Sequence, residues 1–249
     1  MFINSQILSL HSDTLPQGLS TLSKKAINEM SRVEKLLPLD KQRNERGMFI
    51  EKNEHLPGNA RMNPDKSEPF IEYKDDVKFS ENTFIHELFH VELSWGLRIP
   101  TLKSCGNNKI LISCVTMLDG QFQHHIVFDK MNSLGYNNTR DSEEVGIEKD
   151  LENFDQLPHD DAYKNAWFSI LYSRVQIECN SIELKESCSK LFHKHHLEES
   201  MSLGRDLESL VRQFAVENVT EYSHGLREAI QLIDLENLIE IKLLRDENT

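Results

Sequence analysis

Within "FIHELFHVELSWG", residues 84–96, three side chains have the types and spacing to do metal chemistry: His86, Glu87 and His90. On a helix, two histidines four residues apart leave the same face one turn apart, so both can bind one ion. Glu87 stands beside them, where its carboxylate can take a proton from a metal-activated water. Zinc brings the pKa of such a water to about 7, and the same ion polarises the carbonyl under attack. The pattern H-E-x-x-H therefore points to Zn2+ as cofactor, with His86 and His90 as ligands and Glu87 as general base.

The bare pattern also arises by chance, so its setting matters. Phe84, Leu88, Val91 and Trp95 form one apolar stripe at helical spacing, and Ile85, Phe89 and Leu93 carry apolar character further round. A helix apolar on most sides is a buried helix. Two imidazoles and a carboxylate are costly to bury there without partners. Ser80 can cap this helix, Glu81 suits its first turn, and Gly96 and Pro100 mark its end.

A catalytic zinc needs a third protein ligand. An extension of the motif in the metzincin manner would place Gly at position 93 and His at 96, where the chain has Leu93 and Gly96. That option is excluded. The better source is "GQFQHHIVFDKMNSLGY", residues 120–136. His125 is the expected ligand, with Asp129 one turn on as an orienting carboxylate or alternative ligand. His124, turned about 100° away, is the second choice. Asp119 is a weaker one.

The elements around these residues follow from periodicity and turn chemistry. Leu22, Ala26, Met30, Val33 and Leu37 predict a helix of about five turns, stopped by Pro38. The short aromatic and β-branched segments "GMFIEK" and "PFIEYK" predict a small antiparallel sheet within residues 46–76. Residues 109–134 read as mostly helical, with a first half that also suits a strand and a possible break at Gly120. Residues 137–161 are acidic and polar, and read as a linker. Trp167, Ile170, Leu171 and Val175 have helical spacing, as do Leu203, Leu207, Leu210, Val211 and Phe214. A last helix is expected over 226–244. The fold class is thus α+β: residues 1–136 as one domain, 137–161 as linker, and 162–249 as a helical bundle.

In this order of elements the chain resembles the zincin-like metallopeptidases. A strand "PFIEYK" precedes a helix with "HELFH", and a second helix offers the third ligand. The layout is most similar to the gluzincin type and to small bacterial and phage-borne proteins distantly similar to the ImmA/IrrE peptidases. The likeness covers roughly residues 46–136, and it departs from the gluzincin pattern in offering His125 where a Glu is usual. It implies peptide-bond hydrolysis, with "PFIEYK" as the edge strand that pairs with an extended substrate. Tyr73, Tyr136 and Arg61 are then possible donors to the oxyanion.

Composition bounds the partners. A formal charge of −13 argues against nucleic acid and against an anionic membrane surface. The longest apolar run, residues 110–118, is too short to span a bilayer. The N-terminal stretch does not read as a secretory signal, so a cytoplasmic home is expected. Cys105, Cys114, Cys179 and Cys188 include no C-x-x-C pair and are expected to be reduced. His193 and His196 read as an exposed helical cluster that could pick up adventitious metal. The expected partner is a protein or peptide substrate. An alternative of a different class is a non-catalytic scaffold whose C-terminal helices bind a regulatory protein.

Overall fold

The computed structural model describes residues 1–10, 17–40, 42–56, 60–63, 67–75, 79–136, 141–157 and 162–243. The chain is α+β. It divides into two compact units, Met1–Arg98 with Lys130–Tyr136, and Ile99–Asp129 with Asn137–Thr249. Among the described residues no helix is long and apolar enough to cross a membrane.

The first unit runs β1 (Phe2–Ile3), α1 (Ser5–Leu10), α2 (Gln17–Ser20), α3 (Lys24–Glu34), β2 (Leu39–Asp40), β3 (Glu45–Arg46), β4 (Met48–Lys52), β5 (Ala60–Met62), β6 (Phe70–Tyr73) and α4 (Glu81–Val91). β2 and β3 form a separate ribbon, and the remaining strands make one sheet in the order β1-β4-β6-β5. β4 and β6 pair in parallel, with Phe49 opposite Phe70, whereas β1 and β5 join their neighbours antiparallel. The expected all-antiparallel sheet is therefore corrected to a mixed one. A parallel pair needs a crossover connection, and residues 53–69 are long enough to supply it. The edge is also reassigned: β6, which carries "PFIEYK", is interior, and β5 lies at the border.

α4 forms where the sequence placed it. The Ser80 hydroxyl accepts a hydrogen bond from the Thr83 amide, and Glu81 occupies the first turn. Phe84, Ile85, Leu88, Phe89 and Val91 are all buried, against α3, β5 and β6. After Val91 the backbone widens into a π-helical turn, Glu92–Gly96, in which the Leu97 amide donates to the Glu92 carbonyl. α3 is shorter than expected. Ser23 caps it by accepting from the Ala26 amide, so Leu22 stays outside, and Leu37 is buried from beyond its C-terminal end.

The second unit holds β7 (Thr101–Ser104), α5 (Lys109–Ser133), α6 (Asp141–Glu152), α7 (Lys164–Glu178), α8 (Ile182–Lys194), α9 (Glu198–Phe214), α10 (Val219–Leu232) and β8 (Ile239–Lys242). The last turn of α5 belongs to the first unit. α5 is one continuous helix through Gly120, with no strand at its start. Within the stretch expected to be a linker, α6 and a 3-10 turn at Phe154–Gln156 bury Ile147, Leu151 and Phe154. The final helix ends at Leu232, and "IEIK" forms β8, antiparallel to β7. Asp234, at φ 57°, turns the chain between them, and alternation at Ile239 and Ile241 suits a strand better than a helix.

Close packing in this unit depends on Gly204. A Cβ there would stand 2.8 Å from the Ser169 carbonyl oxygen and 2.9 Å from the Tyr172 Cβ on α7. Backbone cannot yield as a flexible side chain can. Gly204→Ala is expected to destabilise the protein by about 1–3 kcal/mol, despite the better helix propensity of alanine, as read by thermal and denaturant unfolding.

Candidate metal centre

α4 carries His86, Glu87 and His90 on adjacent turns. The Nε2 atoms of His86 and His90 lie 3.1 Å apart, with ring centroids at 4.8 Å. Two nitrogens bound tetrahedrally to one zinc at about 2.0–2.1 Å would be about 3.3 Å apart. The observed separation is thus close to one edge of a coordination tetrahedron. Both rings are half-buried, so an ion held by them would keep access to solvent or substrate.

Glu87 is 6% exposed. Its Oε2 accepts a hydrogen bond from the backbone amide of Met62 at 2.5 Å. That bond fixes the carboxylate of the residue after His86 and ties the general-base candidate to β5. Border strands have spare backbone donors, and one of them is used here.

Two residues beyond His90, Glu92 is 2% exposed and doubly paired. Arg32 of α3 grips it in a fork at 2.5 and 2.7 Å, and Lys130 at the end of α5 reaches Oε2 at 2.8 Å. Burial alone would push this carboxyl up, but the two cations outweigh burial and hold it below the ordinary glutamate range. The Lys130 ammonium also lies 5.4 Å from the Phe89 ring centroid. A lone carboxylate on a nearly apolar helix signals such a clamp in sequence, since it cannot be buried unpaired. The identity of its partners could not be read there.

The remaining expected groups of the first unit are placed as follows. Tyr73 is buried and stacks on Phe79 at 4.8 Å. Tyr136 donates its hydroxyl to Glu81 at 2.7 Å, and Glu81 also accepts from the Ser23 amide at 2.5 Å. Burial and this carboxylate push the Tyr136 phenol up to about 12. Arg61 donates to the buried Glu72 at 2.8 Å.

In the second unit, His124 and His125 are both half-buried on α5, and Asp129 is exposed. The His124 Nδ1 lies 2.9 Å from Oε1 of Glu178, a residue of α7 that is 1% exposed. Arg174 donates from Nε to the other oxygen of Glu178 at 2.7 Å. Burial raises the Glu178 carboxyl, yet Arg174 and His124 more than offset it and bring the value down to about 2. Asp119 accepts from the Leu102 amide and from Gln123, and burial pushes it up to about 7. Sequence reasoning missed Glu178, although a single acid in "SILYSRVQIEC" carried the same signal as Glu92.

No family model, curated protein or solved structure matches this chain. The chemistry therefore rests on the residues themselves. The four cysteines are free thiols, with Cys105 exposed and the others buried. Burial pushes Cys179 and Cys188 up to about 12, which makes them poor nucleophiles. His193 is exposed and pairs with Glu198 at 3.4 Å, and His196 lies past the end of α8 with φ 55°.

The Glu92 clamp has a pH signature. Its folded pKa lies below the ordinary value of 4.5. The stabilisation is therefore complete above that value and fades as pH falls through the lower folded one. Glu92→Gln is expected to lose about 2 kcal/mol at pH 7, and the loss should shrink on going to pH 3. Paired unfolding curves at the two pH values check this.

Proposed function

We propose that this chain is a zinc-dependent peptidase with a zincin-like arrangement around α4. The observation that carries the proposal is the 3.1 Å separation of the His86 and His90 Nε2 atoms, on the helix that also buries the Glu87 carboxylate. The donors are imidazoles, which suit zinc. A mixed sheet before α4 and a long helix after it agree with the resemblance in element order.

The third ligand in this proposal is His124. His86, His90 and His124 make a set of three imidazoles that could hold one ion. His124 also has a carboxylate on its Nδ1, the usual support for a ligating histidine.

Bound here, zinc would supply Lewis acidity and an activated water of pKa about 7. The protein's own residues do the rest. Glu87, aligned by the Met62 amide, accepts the proton of the attacking water and later returns it to the leaving amine. The burial of Glu87 strengthens that interaction by excluding competing water. An extended peptide could pair with the border strand β5, next to the Met62 amide that Glu87 holds. The substrate is thus a protein or peptide segment, and free thiols fit a cytoplasmic setting.

Glu87→Gln is expected to retain zinc and lose at least 100-fold in hydrolysis of a mixed peptide library. Undiminished cleavage by that variant contradicts the assigned base. His90→Ala and His124→Ala should each lose the metal, while His125→Ala keeps it. Zinc lost in His125→Ala and kept in His124→Ala would reverse the choice of ligand. Wild-type protein that binds zinc without cleaving any peptide would favour a scaffold, with the C-terminal helices as the surface for a regulatory protein.

A further inference from the structure

We infer that Glu178 is a positioning residue for the metal centre: its carboxylate fixes the His124 ring so that Nε2 is presented as a ligand. The inference rests on the zinc-binding reading above and deepens it. It assigns a function to a buried acid in the C-terminal helices.

α7 is apolar on nearly every side, with Phe168, Ile170, Leu171 and Val175 all buried. An ionised carboxylate at its last residue is therefore costly unless both oxygens are used. Both are. Oε2 takes the Nε–H of Arg174, one turn earlier on the same helix, at 2.7 Å. That pair alone would neutralise the charge. Oε1 is instead committed to the Nδ1 of His124 on another helix, at 2.9 Å.

A carboxylate paired with a guanidinium is ionised, and an ionised carboxylate can only accept. The shared hydrogen must then sit on Nδ1 of His124, and in the neutral ring this leaves the lone pair on Nε2. The ring is held from its face as well, since Phe128 stacks on it at 5.1 Å with 30° between planes. The orientation of the ring, and the tautomer of its neutral form, are thus both set before any ion arrives. The same contact makes the imidazole a better electron donor, which is how a carboxylate behind a ligating histidine raises metal affinity. Arg174 is held in turn by Asp150 on α6, at 3.8 Å. The α6 and α7 helices therefore support the ligand helix by a chain of charges rather than by apolar packing alone.

The test is zinc affinity by chelator competition on the full-length protein, for wild type, Glu178→Gln and the double variant Arg174→Met/Glu178→Met. The double variant removes both charges together, so no unpaired ion is left if the single variant folds poorly. Zinc affinity is expected to fall about 10- to 100-fold in both variants. In the zinc-free protein, 15N NMR should show the His124 ring protonated at Nδ1 in wild type and as a tautomer mixture in the variants. A purely structural Glu178 would lower the unfolding temperature but leave zinc affinity and tautomer unchanged, and that result overturns the inference. Wild-type protein that binds no zinc overturns the zinc reading itself. Zinc bound equally by all three proteins overturns only the role of Glu178.

Discussion

The constraint on which the rest depends is the burial of polar chemistry on an apolar helix. α4 shows hydrophobic side chains to α3, β5 and β6, so its core-facing positions are settled by packing. Glu87 and Glu92 are nevertheless almost fully buried on or just after it. Each is matched by a donor from another element: a strand amide for Glu87, and Arg32 with Lys130 for Glu92. Leaving either carboxylate unmatched would cost several kcal/mol, a large share of a domain's net stability. The helix that presents His86 and His90 is thereby pinned in rotation and translation, as metal ligands require.

The same logic recurs in the second unit. Glu178 is buried among apolar neighbours and matched by Arg174 and His124. In both units a buried acid sits within reach of a candidate imidazole's helix and is tied to cations. The π-helical turn at Glu92–Gly96 belongs to this pattern, because the wider winding lets Glu92 turn inward directly after the histidine pair. Ion pairs of this kind add little net stability compared with apolar packing, but they fix geometry.

Much of the candidate site was legible because its signal is local. H-E-x-x-H, the Ser80 cap and the apolar stripe all lie within one helix, and the structure forms that helix as expected. The α+β class was legible for the same reason. Other features are not local. Pairing of β4 with β6 in parallel is decided by where the chain crosses over, which hydrophobic alternation does not encode. α6 was hidden by acidic composition, although Ile147, Leu151 and Phe154 already had the four- and three-residue spacing of a buried stripe. β8 was hidden because "LIEIKLL" suits either period when read without its partner β7. The carboxylate that pairs with His124 comes from Glu178, 54 residues further along the chain, which no local pattern reveals.

The most direct test of the account is zinc K-edge X-ray absorption on the purified, zinc-loaded protein, with total metal measured on the same sample. The account requires about one zinc per chain, with three imidazole nitrogens at about 2.0 Å and a lighter oxygen ligand completing the shell. A protein that takes up no zinc, or one whose zinc is bound by sulfur or by oxygen alone, would contradict the central claim that the α4 histidine pair is a metal site.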